Sequence, residues 1–193
     1  MPDTDIKAQK QLYHLAALEN LSSILQIGLK PRSQLKQFTD VADAEILRKR
    51  QALELENYVP FHWFSANPFD GSVQRRRPES KFILISVYRS HAEQNGWKII
   101  PRHPLANDAI QLYDYAQGLE VIDWTLMNSR DYSDRACKST CMAECLSPGV
   151  VAADNFSRIY VRDTELERVC MDTMRSVGKT VPISVNPRMF PNV

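Results

Sequence analysis

The stretch KFILISVYR, residues 81–89, is the clearest β-strand in the sequence. Its apolar residues Ile83, Ile85 and Val87 recur at every second position, which places them on one face of a strand. Other strands are predicted on both sides of it. They lie at residues 11–18, 121–124, 157–163 and 181–190.

Helices are predicted between these strands. In residues 19–29, Leu21, Ile24 and Leu25 have helical spacing, and Gly28 suits the C-cap of that helix. Further helices are predicted at residues 40–56, 107–119 and 164–178, the last with Thr164 as its N-cap and Gly178 after its end.

The order of these elements predicts the fold class. Strands interspersed with helices on a chain of 193 residues indicate a compact α+β domain. A hydrophobic content of 44% and a charged content of 24% are typical of a globular protein. We expect a single domain over residues 1–193.

The charge and the apolar runs exclude some classes of function. A formal net charge of +1 argues against a large, uniformly basic nucleic-acid surface, although it permits a local patch. No apolar run approaches the roughly 20 residues of a membrane span. The N-terminus MPDTDIKAQKQ lacks the apolar core of a signal peptide, so we expect a cytoplasmic protein with no membrane partner.

Three of the four cysteines are regularly spaced. Cys137, Cys141 and Cys145 recur every four residues, and one helical face could bring their thiols to a metal ion. Zinc sites usually pair closely spaced cysteines with a second, distant pair, and the sequence has no such second pair. We therefore expect structural core thiols and no metal.

The segment NYVPFHWFSANPF, residues 57–69, combines aromatic residues with proline. Pro60 interrupts regular strand pairing because it has no backbone N–H. The rings of Tyr58, Phe61, Trp63 and Phe64 then suit either a plain core or the wall of a ligand site.

Four stretches follow one another along the chain. They are YHLAALENLSSILQIGL at residues 13–29, NYVPFHW at the start of residues 57–69, VIDWTLMNSRDY at residues 121–132 and AECL at residues 143–146. In this order they resemble the DarT family, whose members are NAD-dependent ADP-ribosyltransferases that act on single-stranded DNA. The family pattern D-Y-V-P-F-Y-F corresponds to NYVPFHW. The resemblance covers roughly residues 12 to 175.

Two departures from the family lie in the predicted active-site region. FDG replaces the family's PML after the aromatic segment, and the stretch between Arg50 and Tyr58 is shorter than in the family. The target base, thymine or guanine, is therefore left open.

The resemblance implies a complete architecture. It is a single compact ADP-ribosyltransferase-like α+β domain, with a central split antiparallel sheet and flanking helices. NAD is the implied co-substrate, held by elements within about residues 12–69, and a target-recognition loop is implied at about residues 125–143. The implied partners are single-stranded DNA and a macrodomain antitoxin.

Two residues are predicted to be catalytic. Glu144 lies among apolar neighbours, where its carboxylate can stabilise the positive charge that develops on the ribose of NAD. Without the resemblance, an exposed strand glutamate is the simpler interpretation. By resemblance, Arg50 assists proton removal from the base; Arg48 is the alternative, and a solvated helix end is the structural interpretation of both.

The predicted NAD contacts follow from the first strand, the first helix and the aromatic segment. The resemblance implies that His14 contacts the adenosine ribose and that the backbone of Leu15 and Ala16 contacts the nicotinamide amide. A structural histidine and a helix cap are the alternatives for His14 and Gly28. The complete predicted set is His14, Leu15, Ala16, Gly28, Leu29, Tyr58, Phe61 and Phe64.

The predicted DNA contacts lie in two basic stretches. SVQRRRPES, residues 72–80, is a predicted basic turn whose arginines suit phosphates or solvent equally. NSRDYSDRACK, residues 128–138, belongs to the predicted target loop and is the stronger candidate. The complete predicted set is Arg75, Arg76, Arg130, Tyr132, Arg135 and Lys138.

Two other functions are compatible with these residues. An ADP-ribosyltransferase acting on RNA or protein would share the NAD site and differ in the target loop. A non-catalytic nucleic-acid-binding module would share the basic stretches but would not need His14, Arg50 and Glu144.

Overall fold

The computed structural model describes residues 5–35, 51, 53–103 and 111–190. Within these residues, eight strands form one sheet in the order β5-β4-β6-β2-β1-β3-β7-β8. Neighbouring strands are antiparallel, except that β7 and β8 are parallel. The strands are β1 (Gln11–Ala17), β2 (Val59–His62), β3 (Phe82–Tyr88), β4 (Lys98–Ile100), β5 (Tyr113–Asp114), β6 (Glu144–Ser147), β7 (Arg158–Val161) and β8 (Ile183–Val185).

Seven α-helices lie in the described part of the chain. They are α1 (Leu21–Ile27), α2 (Pro68–Arg76), α3 (Arg89–Gln94), α4 (Tyr115–Val121), α5 (Trp124–Ser129), α6 (Arg135–Thr140) and α7 (Thr164–Val177). The predicted α+β fold with a mostly antiparallel sheet is therefore confirmed.

The two faces of the sheet carry separate apolar clusters. Ile83, Ile85 and Val87 point to one face and belong to the main core, to which α1 and α3–α7 also contribute. Phe82 and Leu84 point to the opposite face, which α2 and the C-terminal segment cover. The period of two in β3 thus separates its side chains between these two layers.

The sheet is narrowly joined at its centre. β1 pairs with β3 along its whole length, and β2 pairs with β6 along its whole length. Between β1 and β2, by contrast, the register contains only the pair Tyr13 and His62. Beyond that pair, Pro60 has no N–H to offer β1. The two halves of the sheet therefore diverge where the family resemblance predicts a split.

Most predicted strands are confirmed, and one is wrong. Residues 81–89, 11–18, 157–163 and 181–190 contain β3, β1, β7 and β8. Residues 121–124 instead contain the end of α4 at Val121 and the start of α5 at Trp124. The helix α5 begins there because the side chain of Asp123 accepts a hydrogen bond from the Leu126 N–H.

The predicted helices also differ from the observed ones in detail. The N-cap of α7 is Asp163, whose side chain accepts from the Leu166 N–H, so the prediction of Thr164 as the cap is wrong. The prediction over residues 107–119 is shifted, because residues 113–114 form β5 and the helix runs from Tyr115 to Val121. The helix predicted at residues 40–56 lies mostly outside the described residues.

The predicted basic turn at residues 72–80 is wrong for its first half. α2 begins at Pro68 and continues to Arg76. It starts there because the side chain of Asn67 accepts a hydrogen bond from the Asp70 N–H, and because proline fits the first turn of a helix.

Candidate active site

A row of directly opposed residues crosses the centre of the sheet. Tyr13 of β1 pairs with His62 of β2, His62 pairs with Glu144 of β6, and Glu144 pairs with Ile100 of β4. Directly opposed residues point to the same face, so Glu144 lies in line with His62 and Tyr13. The face that carries this row is the one covered by α2.

Glu144 occupies a rigid and sheltered position. It is the first residue of β6, which is held between β2 and β4, and only 6% of its surface is exposed. A carboxylate in such a setting interacts more strongly with a nearby positive charge than it would in water. The alternative interpretation, an exposed strand glutamate, therefore does not fit Glu144.

Beyond the pair Tyr13 and His62, β1 and β2 leave a space between them, which we call the opening. Part of the β1 backbone faces this opening. On the β3 side, the carbonyl of Lys10 accepts from Arg89 and the N–H of Leu18 donates to Lys81. Successive residues of a strand direct their N–H and C=O groups to opposite edges. Ala16 therefore directs its groups to β3, whereas Leu15 directs its groups to the opening, past the last β1–β2 pair.

His14 spans the divergence of β1 and β2. Its Nδ1 lies 2.8 Å from the carbonyl oxygen of Pro60, and since a carbonyl only accepts, Nδ1 carries the hydrogen. The ring also packs against Phe61 at a centroid distance of 5.5 Å. Alternation along β1 places this side chain on the face opposite Glu144. The ribose contact of His14 stays a prediction.

Most rings of the aromatic segment lie in the main core. Phe61, Trp63 and Phe64 are exposed by 3% or less. The ring of Phe61 contacts Trp97 at 5.0 Å as well as His14, so stacking on nicotinamide would require one of these rings to move. The structure thus supports a core role for these three, and their NAD contact stays a prediction.

Tyr58 differs from the other rings. It is half-buried and packs against Leu55, Ile100 and Leu146. Leu146 and Ile100 lie on the face of Glu144, because Leu146 is two residues along β6 and Ile100 is the cross-strand partner. Tyr58 is therefore the predicted ring on the side of the sheet where Glu144 lies.

Gly28 and Leu29 have structural explanations. Gly28 has a φ of 78°, and a Cβ atom there would lie 2.7 Å from the carbonyl oxygen of Val151. Leu29 exchanges two backbone hydrogen bonds of 2.9 Å with Val151. These contacts fasten the end of α1 to the segment after β6, and an NAD contact of either residue stays a prediction.

Arg50, the predicted catalytic arginine, and its alternative Arg48 lie outside the described residues. Their predicted role stays a prediction.

The predicted target loop is largely helical. Residues 125–143 contain most of α5 and all of α6, which begins after the Asp134 side chain accepts hydrogen bonds from the N–H groups of Ala136 and Cys137. Arg135 and Lys138 are exposed on α6. The description of this region as a loop is therefore wrong, although Arg135 and Lys138 do face solvent.

The remaining predicted DNA residues differ in their surroundings. Tyr132 is 40% exposed between α5 and α6, and Arg75 and Arg76 are exposed at the end of α2. Arg130 is only half-exposed, and its guanidinium lies 5.2 Å from the centre of the Phe64 ring. Arg130 thus stabilises the protein through a cation–π contact.

One site neighbour was missed in the sequence. The N–H of His103, three residues after β4, donates to the carbonyl oxygen of Ser139 in α6 at 3.0 Å. His103 therefore lies beside the segment that leads into Glu144. Nothing in the local sequence signals this contact, since it depends on the pairing of β4 with β6.

The thiols of Cys137 and Cys141 form hydrogen bonds with the protein backbone. Cys137 and Cys141 have their sulfur atoms 4.0 Å apart and donate to the carbonyls of Leu126 and Met127 in α5, at 3.1 and 3.5 Å. Burial raises the pKa of Cys141 to about 12. Among residues 5–35, 51, 53–103 and 111–190, no group of three or more His, Cys, Asp or Glu side chains is arranged to hold a metal ion.

The sequence from residue 13 to residue 191 matches the family model described as DarT, an ssDNA thymidine ADP-ribosyltransferase. The chain belongs to the DarT family. Membership confirms the resemblance drawn from the four motifs. The chain is therefore an ADP-ribosyltransferase of single-stranded DNA. No curated protein sequence matches the chain.

Solved structures of DarT proteins have the same fold. DarT of Thermus sp. 2.9 in complex with ADP-ribosylated ssDNA superposes with a TM-score of 0.79 at 14% identity, over 94% of this chain and 96% of that chain. In complex with NAD+, the TM-score is 0.75 at 13% identity, over 95% and 98%. DarTG of Thermosipho africanus in complex with ADP-ribose gives 0.72 at 21% identity, over 94% of this chain and 51% of that chain.

Helices within the described residues are all too short or too polar to cross a membrane.

Proposed function

We propose that this DarT-family chain transfers ADP-ribose from NAD to a thymine base of single-stranded DNA, with Glu144 as the catalytic carboxylate. The observation that carries the proposal is the position of Glu144. It is a buried acid on a central strand, on the row that reaches β1 through His62 and Tyr13, where β1 and β2 diverge. The family model supports thymine as the base.

The chemistry needs one well-placed carboxylate. The bond between nicotinamide and ribose breaks, and nicotinamide leaves with the electron pair. The ribose carbon then carries positive charge, as in glycoside hydrolysis. Glu144 would hold a ribose hydroxyl and stabilise this charge, while a ring nitrogen of thymine bonds to the carbon and releases its proton. The resemblance assigns assistance with that proton to Arg50.

The backbone of Leu15 and the ring of Tyr58 suit nicotinamide. The N–H and C=O of Leu15 face the opening and complement the carboxamide, which both donates and accepts hydrogen bonds. Tyr58 supplies a ring on the face of Glu144. Together they would orient nicotinamide and help exclude water, which would otherwise hydrolyse the activated NAD.

The DNA strand would approach along α6. Arg135 and Lys138 are exposed there, and Tyr132 precedes them with a partly exposed ring. Basic side chains beside an aromatic ring suit the phosphates and bases of single-stranded nucleic acid. A cytoplasmic location, where NAD and DNA are both present, and a macrodomain antitoxin as partner complete the proposal.

The test uses NAD labelled in its adenylate portion. It is incubated with the protein and, separately, with a single-stranded oligonucleotide that contains one thymine, a matched strand without thymine, an RNA strand and bulk protein. Label on the thymine strand alone is the expected result. Label on the thymine-free strand would show that the modified base is not thymine. Label on RNA or protein would favour an ADP-ribosyltransferase that acts on RNA or protein. DNA binding without any transfer would indicate the non-catalytic module.

A further inference from the structure

The side chains of His62 and Glu144 are close neighbours across β2 and β6. The carbonyl of Pro60 faces β1, because it accepts from His14. Residues two apart in a strand face the same edge, so the backbone groups of His62 also face β1. His62 and Glu144 therefore form a non-hydrogen-bonded pair of the β2–β6 ladder, the arrangement that brings opposed side chains closest.

The imidazole of His62 contacts the peptide that leads into Glu144. Its Nδ1 lies 3.4 Å from the carbonyl oxygen of Ala143. A carbonyl only accepts, so Nδ1 carries the hydrogen in this contact. Ala143 is fully buried, and His62 is 5% exposed. The imidazole thus supports the residue immediately before Glu144.

A second contact holds the imidazole from the side of α2. The ring of Phe69 lies 5.3 Å from the His62 ring, with an angle of 33° between their planes. Phe69 belongs to a fixed turn, because Asn67 donates to the Phe64 carbonyl at 3.1 Å and to the Asp70 carboxyl at 2.7 Å. His62 therefore lies between the anchored start of α2 and the start of β6.

We propose that His62 is a positioning residue for Glu144. The inference rests on the proposed function of Glu144. The hydrogen bond from Nδ1 and the packing against Phe69 hold the peptide between Ala143 and Glu144 in place. The Glu144 carboxylate therefore approaches the ribose in one geometry. A displacement of about 1 Å costs roughly 100-fold in rate, so support of this peptide affects kcat. Binding of NAD does not depend on it.

The variants His62→Asn and His62→Gln test the position of the donor. The amide nitrogen of asparagine occupies the place of Nδ1, whereas that of glutamine occupies the place of Nε2. We expect kcat for DNA modification to stay within about threefold for H62N and to fall about 10-fold or more for H62Q. The KM for NAD should remain unchanged in both variants, because the effect is on the transition state.

His91→Gln is the matched control. His91 lies on α3, and its ring packs edge-on against Trp97 at 5.7 Å, away from the row of Glu144. Rates are compared per folded molecule, with the folded fraction measured by urea denaturation. Equal kcat values for H62N and H62Q would overturn the proposal, as would a raised KM for NAD at unchanged kcat.

Glu144→Gln, measured in parallel, separates this inference from the function on which it rests. If E144Q keeps its transfer activity, the role of Glu144 fails and the role of His62 fails with it. If E144Q is inactive and the two His62 variants are equal, only the role of His62 fails.

Discussion

The imidazole of His14 donates a hydrogen bond to the carbonyl oxygen of Pro60 over 2.8 Å, at the place where β1 and β2 stop pairing. Pro60 has no N–H, so a regular ladder cannot continue there. A side chain thus forms the connection between two neighbouring strands that the backbone would otherwise form. The bond limits how far the opening between the strands can widen.

Replacement of His14 by phenylalanine should affect both stability and NAD binding. The Pro60 carbonyl loses its donor, which should lower the free energy of unfolding by about 1 kcal/mol. The opening between β1 and β2 would then widen, and the groups that hold NAD would fit it less well. We expect NAD affinity to fall roughly 10-fold, which corresponds to the free energy of about one hydrogen bond. Urea denaturation and calorimetric titration measure these quantities. Reduced stability at unchanged NAD affinity would make His14 a purely structural residue.

Glu144→Gln should abolish transfer to DNA while leaving the fold and NAD binding largely intact. The carboxylate acts on charge that develops only in the transition state, so its loss lowers kcat by about 100-fold or more. Glutamine has nearly the same shape, which protects the packing. The exposed Glu120→Gln on α4 is the control. Near-normal transfer by E144Q would refute the catalytic assignment.

Neutralising Arg135 and Lys138 together should weaken DNA binding without affecting NAD chemistry. Each phosphate contact contributes a slope of about −0.7 to the dependence of log affinity on log salt for a single strand. Loss of two contacts should therefore make the slope less negative by about 1.4. Fluorescence anisotropy at several salt concentrations measures it.

The control for that experiment is Arg168→Gln with Arg175→Gln on α7, which also removes two exposed positive charges. An equal change of slope in both double variants would show a general effect of net charge. An unchanged slope for the α6 variant would shift the DNA surface towards Arg75 and Arg76. Slow hydrolysis of NAD in the absence of DNA should hardly change in either case.

Asp70 should make the stability depend on pH. Burial raises the pKa of this carboxyl to about 8, although the hydrogen bond from Asn67 opposes the shift. The folded protein therefore keeps a proton that the unfolded chain releases above pH of about 4. The protonated Asp70 therefore stabilises the folded protein fully at low pH. As pH rises from about 4 to about 8 this stabilisation is lost, and the free energy of unfolding falls by at most about 1.4 kcal/mol per pH unit.

Asp70→Asn tests this expectation, since asparagine stays neutral at every pH. Urea denaturation at pH 5, 6, 7 and 8 should show D70N gaining stability relative to wild type as pH rises. The exposed Asp172→Asn is the matched control. A difference between D70N and wild type that is constant over this range would show that Asp70 does not titrate as its burial predicts.

Arg89→Met should destabilise the protein by about 3 kcal/mol, because three carbonyls, of which the Trp63 carbonyl is buried and the other two are partly buried, lose this donor. The guanidinium donates to the carbonyls of Lys7, Gln11 and Trp63 at 2.9 to 3.2 Å and lies 4.8 Å from the centre of the Trp63 ring. Burial lowers its pKa to about 10, so it remains charged at neutral pH. Arg89→Lys should be intermediate, because an ammonium cannot reach three separate carbonyls in this geometry. Equal stability of both variants and wild type in urea would contradict this role.

The sequence by itself determined the features that depend on local patterns. The alternation around Ile85 predicted β3, and the spacing around Leu25 predicted α1, because side-chain period and chain geometry are properties of a short segment. The four motifs in order predicted the family, and the apolar neighbours of Glu144 predicted its burial. The residue ranges assigned to NAD and to the target remain predictions.

Only the tertiary structure decided which residues face one another. His62 lies opposite Glu144, the rings of Phe61 and Phe64 lie in the core, and Ala16 directs its backbone away from the opening while Leu15 faces it. These relationships depend on strand order and on register. A register shift of one residue would move every side chain of a strand to the other face, and the register is fixed by pairing between segments far apart in the chain. The sequence of a short segment therefore does not specify which distant strand it pairs with, or in which register.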